Sequence, residues 1–136
     1  MKLCTLQYEP IDVDALLAQC TNPSDGAVVC FIGRPRNIDN GREVLYLEYE
    51  AHQSMAIKEL TTIMQKALEQ FTINDCIVVH RLGRVEVGQA SVVIIVTAMH
   101  RKEAYNASQF IIDELKKSVP IWKKEYFNDG SQWKSG

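Results

Sequence analysis

At 136 residues and a formal net charge of −2, the chain is long enough for one hydrophobic core and offers little material for a second. Its 46% hydrophobic and 24% charged residues match a soluble globular protein, and no apolar run approaches the length that spans a bilayer. The mild acidity argues against a general nucleic-acid binder, and MKLCTLQYEPIDVD at the start has no apolar stretch of signal-peptide type, so a cytoplasmic protein is expected.

Residues 2–8 read as a short strand, and Asp12 or Asp14 caps a short helix running through Cys20. NPSDG at 22–26 is turn chemistry. AVVCFIG at 27–33 reads as a buried strand and RPRNIDNGR at 34–42 as an exposed loop. EVLYLEYE at 43–50 alternates as a half-buried strand does. A long helix follows from about Ser54 to Phe71, because Leu60, Ile63, Met64, Ala67, Leu68 and Phe71 recur at three- and four-residue spacing.

CIVVHRLG at 76–83 and ASVVIIVTAM at 90–99 read as strands, the second apolar enough to be central. A second long helix is expected from about Arg101 to Ser118, with Ala104, Ala107, Ser108, Ile111 and Leu115 as its buried stripe; it stops before Pro120. Phe110 falls on the polar side of that helix, a hint of a subunit contact. The order βαββαββα predicts an α+β fold in one domain over 1–136. It has a largely antiparallel sheet, two long helices and one short N-terminal helix.

Charge singles out His100–Lys124, where six Lys or Arg face only Glu103, Asp113 and Glu114. Cations gathered in an acidic chain point to a local anionic ligand. His100 and Arg101 stand where a strand hands over to a helix, and free N–H groups with the helix dipole favour a phosphate or carboxylate there. A plain surface pair is the competing reading. Lys116 lies at the border of the buried stripe and Lys117 points away from it. The amine of Lys116 is therefore either a nucleophile in a partly apolar pocket or a snorkelling surface charge.

Arg34 and Arg36 sit in the loop after a buried strand, and Lys123 follows Trp122 beyond Pro120. His80 and Arg81 are a second His-Arg pair that is equally compatible with a structural role. Cys4, Cys20, Cys30 and Cys76 show no metal-ligand spacing, and Cys30 and Cys76 read as small buried hydrophobes. No metal site, nucleophile triad or phosphate loop is visible.

Five blocks carry a resemblance: GAVVCFIGRPRN, LYLEYEAHQSMA, VVHRLGRVEVGQ, HRKEAYNASQFIIDELKKSVPIWKKE and DGSQW. In this order, from about Gly26 to Trp133, the chain resembles the large, catalytic subunit of molybdopterin synthase. The resemblance implies an α/β-hammerhead-like fold. It also implies a sulfurtransferase that makes the dithiolene of molybdopterin, in molybdenum cofactor biosynthesis, from cyclic pyranopterin monophosphate. The sulfur donor would be the C-terminal thiocarboxylate of a small ubiquitin-like subunit. Two large subunits would form the central homodimer of a heterotetramer, with no cofactor or metal at this step and no nucleic-acid or membrane partner.

Carried over by motif, Lys116 and Lys123 match the catalytic lysines, Arg36, His100 and Arg101 match substrate-binding residues, and Phe31 matches a pocket-lining position. A non-catalytic homologue acting as a partner- or anion-binding module is the alternative. A helix rises about 1.5 Å per residue, so His100 and Lys116 are expected about 24 Å apart. The site is accordingly expected to be shared, with His100 and Arg101 from one subunit facing Lys116 and Lys123 of the other. Family members continue past the residue matching Trp133 to a further basic residue, and Lys134 is the candidate to stand in for it.

Overall fold

The computed structural model describes residues 1–135, in which the elements run β1 (Lys2–Gln7), α1 (Val13–Leu17), β2 (Ala27–Gly33), β3 (Ile38–Asp39), β4 (Arg42–Ala51), α2 (Gln53–Gln70), β5 (Asp75–Arg81), β6 (Gly83–Glu86), β7 (Val92–Ala98), α3 (Arg101–Ser118), β8 (Ile121–Phe127) and β9 (Gly130–Ser135). They build an α+β fold with two sheets, and all strand pairs but one are antiparallel.

The first sheet has the order β1-β5-β7-β2, with β1 parallel to β5. Every residue of β5 and β7 is buried, so both faces of this sheet need cover. Alternation divides the load. Cys76, Val78, Ile94 and Val96 join the core built with α2 and α3, whereas Ile77, Val79, Val93 and Ile95 pack with Val13, Leu16 and Leu17 around α1. Asp12 caps α1 by accepting from the Ala15 N–H at 3.0 Å.

Both long helices bury most of the stripes their spacing predicts, with Leu68 of α2 half-buried and Phe71 just past that helix's end. Leu60, Ile63, Met64 and Ala67 of α2 are buried, as are Ala104, Ala107, Ser108, Ile111 and Leu115 of α3. The helices meet through Phe71 and Phe110, whose rings lie 5.7 Å apart. Phe110 therefore packs toward α2 within the same chain. At the edge of the apolar stripe, its ring reaches sideways to the neighbouring helix.

The second sheet has the order β3-β4-β8-β9, with β6 also paired to β4. The apolar pattern of residues 76–83 predicts one strand. The chain instead breaks at Leu82, and Gly83, at φ +76°, turns it into β6 on the other sheet. Strands β8 and β9 were not expected at all. Their inward face carries Lys123 and Glu125 between Ile121 and Phe127, so apolar alternation is interrupted where the charges turn inward.

Gly26 closes the turn before β2, donating to the Ala98 carbonyl at 2.9 Å. A Cβ there would lie 2.2 Å from the Met99 carbonyl oxygen. Gly26→Ala is expected to destabilise the fold by about 1–3 kcal/mol, as read by urea denaturation; an unchanged midpoint would contradict that close approach.

Candidate active site

The loop that leaves β2 and the last turn of α3 enclose, with the inner face of β4-β8-β9, a cavity of about 280 Å³. Phe31, Arg36, Lys116 and Lys123 line it together, along with Arg34 and Lys134. Each arrives by ordinary local logic. Phe31 is on β2, 36% exposed, with Gly33 ending that strand and releasing the chain into the arginine loop. The loop is pinned from behind: the Ser91 N–H and hydroxyl both donate to the Gly33 carbonyl, at 2.8 and 3.1 Å, and the Gly88 N–H donates to the Pro35 carbonyl at 3.3 Å.

Lys116 follows the buried Leu115 in the last turn of α3, so its stem starts at the core boundary. Lys123 is on β8, in register with Tyr49 of β4 on one side and Lys134 of β9 on the other. These three side chains therefore share one sheet face. His100 and Arg101 are not in the cavity. They are exposed at the opposite end of α3, where His100 takes the N-cap position in extended backbone and makes no side-chain cap bond.

Arg34, Arg36, Lys116, Lys123 and Lys134 converge on a space whose described acids are Asp39 and Glu125. Lys134 answers both, pairing with Asp39 and, at 3.0 Å, with Glu125. Its hydrogen bond holds the Asp39 carboxyl below the usual carboxylate range. Glu125 is only 4% exposed, and a carboxylate that dry needs a partner of this kind. The basic residue expected to serve the phosphate end thus has its charge engaged by two carboxylates.

Lys116 is exposed along part of its length, yet desolvation of its amine, followed by the nearby charge of Lys123, lowers its pKa from the ordinary lysine value. A larger share of neutral amine results, which is what a nucleophile or proton acceptor needs. The thiols offer no rival. Burial raises Cys20 and Cys30 and pushes Cys76 up to about 12, so none of these three is poised as a thiolate.

Two groups beside the cavity escaped sequence reading. Tyr49 is buried on the cavity wall, and burial raises its pKa, so it stays a neutral phenol. His80 lies behind Tyr49, its ring edge-on at 4.9 Å. Alternation in LYLEYE placed Tyr49 on one face of a strand but could not say which face met the cavity. His80 stands out in the sequence only as half of a second His-Arg pair that a structural role explains equally well.

The family described as MoaE protein matches residues 6–118. The molybdopterin synthase catalytic subunit of Pyrococcus abyssi is 41% identical over 128 residues, covering 94% of this chain and 86% of its own length. That of Bacillus subtilis is 39% identical over 124 residues, covering 91% and 79% respectively. Among solved structures, molybdopterin synthase from Staphylococcus aureus matches with a TM-score of 0.90 at 38% identity, covering 96% of each chain. A Helicobacter pylori complex of subunits 1 and 2 of molybdopterin-converting factor has a TM-score of 0.79 at 22% identity and shares the fold.

Burial sets the titration of His80, whose pKa falls to about 4 from an ordinary 6.5. With the folded value below the unfolded one, the unfolded chain binds the extra proton between those pH values. The neutral ring's contribution is complete above about pH 6.5 and fades as pH falls toward 4. Wild type is expected to lose roughly 3 kcal/mol more than His80→Gln over that window, measured by urea denaturation at each pH; parallel profiles would contradict the assignment.

Proposed function

The chain belongs to the MoaE protein family, as a molybdopterin synthase catalytic subunit, and from that premise we propose that the cavity between β2, α3 and the second sheet is where sulfur is transferred. The observation that carries this reading is the convergence of Phe31, Arg36, Lys116 and Lys123 on one space. These residues come from four separate elements, and no local sequence feature requires them to meet.

In this reading the donor is the C-terminal thiocarboxylate of a small ubiquitin-like subunit, whose flexible tail enters the cavity. A thiocarboxylate is an anion, so the cationic lining attracts it and holds it against water. The Lys116 amine, kept partly neutral by burial and by Lys123, holds the tail or transiently accepts its acyl carbon. Sulfur then attacks the side chain of cyclic pyranopterin monophosphate. Lys123 supplies charge balance and a proton as the cyclic phosphate opens. Arg36 binds the phosphate, with Arg34 beside it, and Phe31 gives the tail an apolar wall.

His100 and Arg101 enter as residues of a second copy. The length of α3 keeps them from the cavity of their own chain, and a homodimer within a heterotetramer would bring a partner's pair to it. Trp122 and Trp133, 45% and 48% exposed, stand on the outer face of the second sheet and supply an apolar surface for such a contact. One domain spanning 1–136 and a cytoplasmic location fit this role. Free Cys4, Cys20, Cys30 and Cys76 suit a reducing compartment.

Wild type mixed with a thiocarboxylated donor and the cyclic pterin is expected to form molybdopterin, and Lys116→Ala to lose at least about 100-fold in rate. An inactive wild type that still binds the donor would favour a binding module instead. Mixing a His100→Ala/Arg101→Ala chain with a Lys116→Ala chain should restore about one working site per mixed dimer; complete inactivity of those dimers would reject the shared site.

A further inference from the structure

We propose that His80 is a positioning residue for Lys116, its Nε2 accepting a hydrogen bond from the Lys116 amine. This rests on the reading of Lys116 as the reacting amine. Nδ1 of His80 lies 2.7 Å from the Arg81 carbonyl oxygen. A carbonyl only accepts, so the ring hydrogen is on Nδ1 and the lone pair is on Nε2. Strand alternation turns His80, like Cys76 and Val78, to the sheet face that α3 covers.

His80 is 3% exposed, and a buried lone-pair nitrogen requires a donor. The neighbouring Tyr49 meets the imidazole ring to ring, edge-on at 4.9 Å. Lys116 lines the cavity beside Tyr49, and after burial its charge adds to what disfavours protonation of the imidazole. The amine is thus the donor that the surroundings bring to Nε2.

The choice of residue has a chemical logic. A carboxylate at this position would clamp the ammonium and hold its proton, whereas a protonated ring would repel it. A neutral, dry imidazole orients the amine without doing either. Its anchor to the Arg81 backbone fixes the direction from which Lys116 is held.

Two substitutions separate this role from a purely structural one. His80→Gln places an acceptor near the Nε2 position and gives up the Arg81 anchor; His80→Asn keeps a donor near Nδ1 and gives up the acceptor. Thermal melts establish that both variants fold. His80→Gln is expected to keep kcat for molybdopterin formation within about threefold of wild type, and His80→Asn to lose about tenfold in kcat with KM for the donor unchanged. His80→Asn matching or exceeding His80→Gln would overturn the assignment.

A second readout needs no turnover: the pH at which Lys116 is half-maximally labelled by an amine-reactive ester, followed by peptide mass. An ammonium that loses its acceptor titrates lower, so the midpoint should fall in His80→Asn and hold in His80→Gln. Lys123, Arg34, Arg36, Lys134, Asp39 and Glu125 face the same space and are common to both variants. Equal midpoints in the two variants would also overturn the assignment. A wild type inactive with donor and pterin would count against Lys116 as the reacting amine, while the labelling would still decide whether His80 holds it.

Discussion

The tension at Lys116 organises this molecule: an amine near the dry boundary of the core, with a second ammonium close by. Either influence alone disfavours the charged form, and here they act together on one side chain. Such a site collapses unless the surrounding framework holds the two lysines near each other against their repulsion. Lys116 rides on an 18-residue helix whose buried stripe fixes its rotation, and Lys123 on a strand paired along both edges. Rigid elements approaching from different directions can enforce what neighbouring loop residues would relax.

The remaining charges compensate for this arrangement. Lys134 neutralises Asp39 and Glu125 and in doing so ties β9 to β3 and β8 across the cavity rim. Arg34 and Arg36 are left on a loop whose backbone is fastened by Ser91 and Gly88. The result is a concave surface with surplus positive charge, built within a chain whose net charge is −2. Local concentration of charge in a small concavity suits it to a compact anion rather than to polyanions in general.

Both long helices and the central strand SVVIIVTA were legible because their patterns are strong, whereas AVVCFIG, expected as a buried strand, forms a sheet edge with Val28, Phe31 and Ile32 exposed. The C-terminal hairpin was not legible. In IWKKEYF the inward positions hold Lys123 and Glu125, so the signal that marks a strand was disrupted by the residues that line the site. Helix geometry separated Lys116 from Lys117 but could not bring Lys116 to Lys123, because that meeting depends on β8 turning back along β4. The same limit hid Tyr49 and His80. Their importance comes from what tertiary packing sets behind the lysines, which no spacing along the chain encodes.

The central claim is that the donor's C-terminal glycine meets Lys116 or Lys123 inside this cavity. Zero-length carbodiimide coupling of the small subunit's terminal carboxyl to the complex, mapped by tandem mass spectrometry, tests it most directly. The account predicts a glycine–lysine linkage at Lys116 or Lys123, lost when both are replaced by arginine. Linkage instead to Lys102, at the far end of α3, or to lysines scattered over the surface, would contradict it.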